Sequence, residues 1–463
     1  MHTNVVILLV TLLYTAAMAV ISFQARRSAR TAKNFTTGAT AYPAVLIGFM
    51  LMSEFIGTAS SVGTAQVGFV AGISASWAIV AMGVGFVLYA VLLAAKFKEL
   101  GDNTISGVLA SRYGEATRVA TSLIMIFALL VVSVSLYTSG GAVLQPFLGV
   151  DRATSIIVAG LVSVFYVSIG GMRSVIYTNV SHAVLKYLGV ILAVGFGLRE
   201  VGGAGALYAR LPAGMFAVDH VGWAQIFAWA VAGIGAVFST QYVVQAIATV
   251  PSAAKARLAS FYAAALLVPF GIGCAVIGMC ARLLYPQIAS LGAFPVLISH
   301  MDDWMAAIVV AGLAGSLFGS ISAVTIGTAT LIYRDFYMPL FDPRGENARS
   351  LLFVRAATVV VGLLPIPLAI LSSKVLAVAF LAKALRASLA VLVLMVFYAP
   401  NFGTRRGALV AILASLVAVI GWFLAGNPFG IDNAYIAVAV PVLVMAIAHL
   451  GRLVWSRRVA PVQ

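Results

Sequence analysis

A chain of 463 residues that is 62% hydrophobic and only 9% charged, with a mean hydropathy of +1.09, cannot hide its apolar surface inside a water-soluble domain. The expectation is an all-α polytopic membrane protein. The net charge of +15 does not point to nucleic acid, because the basic residues recur between apolar runs instead of forming a patch.

The first apolar run, Val5 to Ile21, has no cationic segment before it and is followed by Arg26, Arg27, Arg30 and Lys33. That is the reverse of a secretory signal, so the run is expected to stay as a first helix with its N-terminus outside. Runs of about 20 apolar residues then give about thirteen spans, with cores near 4–22, 43–66, 73–95, 118–144, 153–169, 179–198, 222–248, 258–283, 304–331, 351–371, 375–398, 408–425 and 433–453. An odd count puts the C-terminus inside. Of the 28 lysines and arginines, 20 then fall on inside segments, among them Arg344. Five fall outside (Arg152, Arg199, Arg210, Arg282 and Lys374), and Lys186, Lys383 and Arg386 lie within spans. A bias of that size supports both orientation and parity.

The stretch Gly48 to Gln66, GFMLMSEFIGTASSVGTAQ, opens as an ordinary span. It then carries Ser53, Glu54, Gly57, Thr58, Ser60 and Ser61 where leucines would be expected. A carboxylate and a run of hydroxyls at bilayer depth are costly unless they face a partner, a cavity or an ion. Gly57 beside them lets the backbone unwind and free its carbonyls for a cation. The stretch therefore reads as a broken helix forming part of a solute and ion site. Cys274 and Cys280, six apart in one apolar segment, give neither a disulfide nor a metal signature and read as small buried hydrophobes. No loop is long enough for a separate folded domain and no Walker motif occurs, so direct coupling to ATP is not expected. No paired His and acid or nucleophile–base spacing suggests an enzyme.

Five segments together point to a family. SEFIGTASSVGTAQ followed by GISASW (Gly72 to Trp77) resembles the second helix of the sodium:solute symporter family. GGMRSVIYTNVSHAVLKYLG (Gly170 to Gly189), STQYVVQAIATVPSAAKARLAS (Ser239 to Ser260), AGSLFGSISAVTIGTATLIYRDFY (Ala314 to Tyr337) and TRRGAL (Thr404 to Leu409) are similar to later segments of it, in the same order. The resemblance implies the leucine-transporter fold: a first peripheral helix and loop (1–40), an inverted repeat of spans 2–6 (41–220), a second of spans 7–11 (221–400), and peripheral helices (401–463). The first helix of each repeat is then interrupted at mid-membrane, so Ser53 to Thr58 and Phe238 to Gln241 are expected to face one another across a solute cavity.

The resemblance also assigns residues. Its cation site uses carbonyls of the first core helix, here at Ser53 and Phe55, and hydroxyls of the eighth. Counted back from RDFY, those hydroxyl positions fall on Gly319 and Ser320 with Ser322 nearby, so one hydroxyl is missing and Ser320 is the possible sodium ligand. The other reading of Ser320 is a serine bonded to its own helix. Where relatives commonly carry aspartate and glutamine this chain has Asn179 and His182, with Lys186 two turns on from Asn179. Lys186 is expected either to stand in for the ion, reaching toward Gly319, Ser320 and the carbonyls near Ser53, or to snorkel or pair with Glu54. The coupling ion is accordingly sodium or a proton, with no other cofactor.

Glu54 reads as a contact for a cationic group of the solute, as a proton exchanger, or as a partner of Lys186, Lys383 or Arg386. Lys383 and Arg386, at i, i+3 on one helix face, read as holders of a solute carboxylate, as an outer gate on Glu54, or as cations snorkelling to an interface. Gln241 and Gln245 flank the second break at helical spacing; Gln241 reads as a solute contact or as a cap of the interrupted helix, and Ser239 beside it as a solute contact. Trp77, Tyr137, Trp223, Trp229 and Tyr242 line a pocket or simply pack. The leading function is solute:cation symport of a small organic solute, an amino acid or monocarboxylate, by alternating access. The expected setting is a lipid bilayer, the bacterial inner membrane, as a monomer or weak homo-oligomer. The alternative is a membrane solute sensor of symporter-like fold, against which the lack of a domain after Gln463 weighs.

Overall fold

Backbone amides in lipid must bond within their own segment, and the chain is accordingly built of helices, with no strand among the described residues. The structure is a computed structural model that describes residues 5–38, 41–343, 348–371 and 375–459. Arg344 and Lys374, counted in the charge bias above, lie outside the described residues. In order the helices are α1 Val5–Ala25, α2 Ala32–Thr37, α3 Ala44–Phe55, α4 Thr58–Ala71, α5 Trp77–Leu92, α6 Ala94–Leu100, α7 Ile105–Tyr113, α8 Glu115–Leu148, α9 Arg152–Val201 and α10 Ala204–Arg210. There follow α11 Trp223–Ser239, α12 Gln241–Ala248, α13 Ala253–Leu284, α14 Ala293–Ser299, α15 Asp303–Ile332, α16 Met338–Phe341, α17 Ala348–Leu363, α18 Pro365–Leu371, α19 Val375–Tyr398, α20 Arg405–Leu424 and α21 Asn433–Val459.

Two interruptions fall where the sequence places them. Ile56 (φ −102°, ψ 82°) and Gly57 (φ −83°, ψ 174°) leave the helical region between α3 and α4. Thr240 (φ −73°, ψ 132°) separates α11 from α12, which meet at a 45° bend. A third break is at Gly171, whose positive φ of 58° divides α9; a Cβ there would stand 2.6 Å from Phe35 O, so glycine is required twice over.

Among the described residues ten helices are long and apolar enough to cross a membrane, or eleven with the bent α11–α12 pair counted as one. The thirteen expected spans are therefore not confirmed as a count. The breaks are the reason: α3 alone is only 12 residues, and Arg152–Phe165 also falls short of a full span.

The post at the centre is α15. Asp302 caps its start by accepting from Met305 N at 3.0 Å, and nearly every residue from Ala306 to Leu331 is buried. It packs on α9, α8, α17, α1 and α3, while α13 packs on α3, α4 and α5, and α11 on α5 and α19. Small residues make these approaches close, as is general between membrane helices. Where α4 crosses α13, a Cβ on Gly278 would lie 2.1 Å from Ala65 O and 2.6 Å from Phe69 N. Both are backbone atoms with nowhere to retreat, so Gly278→Ala is expected to destabilise by about 1–3 kcal/mol. Gly195, with nothing within 4 Å of its Cβ position, is the control: thermal unfolding of purified protein should fall for Gly278→Ala and hold for Gly195→Ala.

Candidate functional site

Breaking a helix at membrane depth frees carbonyls that water cannot reach, so the neighbouring helices must supply donors. They do so with one ammonium and two hydroxyls. Lys186 Nζ, on α9, donates to Ser53 O at 2.6 Å, Ser53 Oγ at 3.0 Å and Ile56 O at 2.8 Å. From α15, Ser316 Oγ donates to Ile56 O at 2.6 Å, and Ser320 Oγ to Glu54 O at 3.1 Å, with Ser53 O at 3.5 Å. Ser53 Oγ in turn donates to Asn179 Oδ1 at 2.7 Å, and Asn179 Nδ2 reaches Gly319 O at 3.4 Å. Three oxygens of the break therefore converge on a positive charge carried by the chain itself.

Helix register explains how the ammonium arrives. Asn179, His182 and Lys186 stand at i, i+3 and i+7 of α9, on one face, and that face meets glycines spaced three and four apart on α15. A Cβ on Gly312 would stand 2.9 Å from Leu185 O, on Gly315 3.0 Å from His182 Nδ1, and on Gly319 2.4 Å from Asn179 Oδ1. Behind them, the Tyr14 hydroxyl of α1 hydrogen-bonds His182 Nδ1. The peripheral first helix thus props the face that presents Lys186.

Glu54 is buried, and neither carboxylate oxygen has a hydrogen-bond partner. No ion pair joins it to Lys186, Lys383 or Arg386 among the described residues, which corrects the expected structural pairing. Gly57 admits no side chain: its Cβ would lie 2.3 Å from Leu136 Cδ2 and 3.2 Å from Ser320 Oγ. Thr58 Oγ1 pairs with Ser139 Oγ of α8 at 2.8 Å, and Phe55 O receives Ser60 Oγ at 3.3 Å. Ser322 donates only to Phe318 O and Gly319 O of its own helix, so the structure does not bring it to the break.

The second break meets the first through Phe55 and Tyr242, whose ring centroids are 5.5 Å apart. Gln241, expected at the solute, faces away from it: Oε1 accepts from Ile105 N at 2.9 Å and Nε2 donates to Asn103 O at 3.0 Å. Gln245 is likewise engaged, by Thr36 O and Thr330 Oγ1, and Lys98 Nζ closes the far end of α12 on Ala248 O at 2.8 Å. Ser239 Oγ donates to Gly235 O and Arg386 O. Arg386 is buried, not snorkelling; its Nη1 donates to Thr240 Oγ1 at 3.0 Å and Tyr242 OH at 3.3 Å. Lys383 parts from it to line a small chamber with Ser60, Thr64, Trp229 and Phe380. A larger, more polar vestibule shares Val67, Trp229 and Phe380 with that chamber. Of the other aromatics, Tyr137 bonds Gly362 O, Trp77 bonds Val218 O, and Trp223 is exposed.

The model of the sodium:solute symporter family matches residues 35–415. The chain belongs to the sodium:solute symporter family. It is therefore an integral membrane protein of a family named for coupling solutes to sodium. The human sodium/iodide cotransporter is 26% identical over 179 residues, 39% of this chain and 28% of that protein. A Drosophila melanogaster relative is 22% identical over 320 residues, 64% of this chain and 52% of its own length. The chain thus spans about half, or less, of the length of the curated relatives it matches. Among solved structures, the substrate-bound outward-open state of a Na+-coupled sialic acid symporter gives a TM-score of 0.83 at 18% identity, covering 96% of this chain and 98% of that one. A nucleobase-cation-symport-1 family transporter in a closed conformation gives 0.60 at 14% identity, covering 91% and 94%. These likenesses establish that the chain shares the fold of those transporters.

Sequence reasoning missed Ser316, Ser139 and Tyr14. Ser316 carried a signal, one turn before Ser320 on the same face; the other two are tertiary contacts with none. It also missed a polar knot beyond the end of α15, where a π-helical turn Tyr333–Tyr337 buries Asp335 against the hydroxyls of Ser106 and Ser122 and, at 3.6 Å, Arg118 Nη1. Removing the ammonium from the first break leaves Ser53 O with only the 3.5 Å contact of Ser320, at about 1–3 kcal/mol, while Ile56 O keeps Ser316. Lys186→Met is therefore expected to lower thermal stability well beyond Ser322→Ala, which deletes only a bond to its own helix; differential scanning fluorimetry of the two variants checks the contrast.

Proposed function

We propose that this chain is a secondary active transporter in which a small organic solute, an amino acid or a monocarboxylate, crosses with a cation by alternating access, and that the cation is a proton carried on Lys186 in place of free sodium. The observation that carries this reading is the Nζ position, within 2.6–3.0 Å of Ser53 O, Ser53 Oγ and Ile56 O. An ammonium has three donors for three acceptors; a neutral amine has two and a lone pair. Losing the proton therefore withdraws one of those donors and turns a lone pair toward an oxygen of the break; Ile56 O would keep Ser316, but Ser53 O would keep only Ser320 at 3.5 Å, which loosens the joint between α3 and α4. A helix joint whose integrity depends on one proton is the element that a transport cycle needs to couple. Glu54, buried without a hydrogen-bond partner, is the second group placed to exchange a proton.

The rest of the reading follows the sequence. The break at 56–57 and the break at 240 open the two five-helix repeats, and the basic loops put the N-terminus outside and the C-terminus inside, in a bacterial inner membrane. The protein works there as a monomer or weak homo-oligomer.

Proteoliposomes loaded with a pH-sensitive dye test it. In sodium-free buffer, pyruvate or L-alanine added outside should acidify the lumen, and both Lys186→Met and Lys186→Arg should abolish the signal, since arginine does not release its proton. Flux that survives in Lys186→Arg, or that appears only with sodium, would sink proton carriage. Saturable binding without any flux would instead identify a receptor.

A further inference from the structure

We infer that the chamber lined by Thr64 and Lys383 is the seat of the solute, and that it is built for the carboxylate of a small monocarboxylate with no amino group. The inference rests on the transporter reading above for the role of the site, but its geometry stands by itself. The chamber is narrow and is lined by Ala59 and Ser60 of α4, just past the first break, so it suits only a solute of few heavy atoms. Lys383 is the only ionisable residue among those lining it. Its ammonium rests over the Phe380 ring, 4.9 Å from the centroid. No hydrogen bond or ion pair engages it among the described residues, a costly state for a cation at membrane depth.

Beside it, Thr64 Oγ1 is buried with no hydrogen-bond partner. An unmatched ammonium and an unmatched hydroxyl on one wall are complementary to one carboxylate, which accepts from both. The remaining wall is largely apolar, from Ala59, Val67, Ile79 and Ala379, and suits a short carbon chain.

Charge argues against a zwitterion. Lys383 is the only charged residue lining the chamber, and Glu54, at the first break, does not line it. An amino group would meet Lys383 with no carboxylate to offset it. Trp229 and Phe380 stack with centroids 6.1 Å apart and planes at 16°, and both line the vestibule as well as the chamber. The two rings are thus common to the walls of both cavities. The vestibule's acid, Asp432, is engaged as a cap on Ala434 N at 2.8 Å.

The test is equilibrium binding to the purified full chain in detergent, by calorimetry, with propionate, L-alanine and propylammonium, which share a three-carbon frame and differ in the charged groups they carry. Propionate should bind saturably, L-alanine at least about tenfold more weakly, and propylammonium not at all. Lys383→Gln should weaken propionate by about ten- to hundredfold, and Thr64→Val by about two- to tenfold. If Lys383→Gln does not fold, the wild-type series and Thr64→Val decide. L-Alanine binding as tightly as propionate, or propionate binding unchanged in the variants, would overturn the inference. Because no gradient is involved, propionate binding without proton flux would sink the transporter reading and leave the site, whereas flux of L-alanine without propionate binding would do the opposite.

Discussion

A helix interrupted inside a bilayer has to find donors for the carbonyls it releases, and much of this structure can be read as the answer to that demand. Water cannot serve at that depth, and an unmet carbonyl costs several times what a typical hydrogen bond contributes. The gap at Ile56 and Gly57 is therefore possible only because Lys186, Ser316 and Ser320 converge on it. Their convergence in turn requires α9 and α15 to lie close, hence the glycines at 312, 315 and 319. Pressed that close, His182 is held from behind by Tyr14 of α1, so the first helix becomes part of the joint.

The two interruptions are supported alike. At the break between α3 and α4 the charge comes from Lys186 of α9; at the break between α11 and α12 it comes from Arg386 of α19, which reaches Thr240 and Tyr242. The difference lies in the chemistry. A guanidinium keeps its proton under all working conditions, whereas an ammonium can release one.

Much of this was legible because cost leaves a mark. Glu54, Lys186, Lys383 and Arg386 stand out in apolar runs where nothing cheap explains them, and the break at Gly57 shows as polar residues in a span. Direction was not legible. Gln241 sits at the second break as expected but turns to Ile105 and Asn103, a choice made by a loop some 136 residues away in sequence. Ser322 and Ser316 are alike in a linear reading, and helix rotation alone decides that Ser316 meets Ile56 O while Ser322 bonds its own turn. The span count is left unconfirmed for a related reason: counting apolar runs assumes that a span is one rod, and the breaks here divide rods.

The anchoring of Gln241 has a mechanical consequence. One amide grips the backbone on either side of Thr104, and Lys98 holds the opposite end of the same short helix by its last carbonyl. Sliding Gln241–Ala248 while residues 98–105 stayed behind would strand buried polar groups at both ends together. The two segments are consequently geared: a tilt of the half-helix must drag α7 and its flanking turn along, which converts motion near the membrane's middle into displacement of the segment that leads into α8.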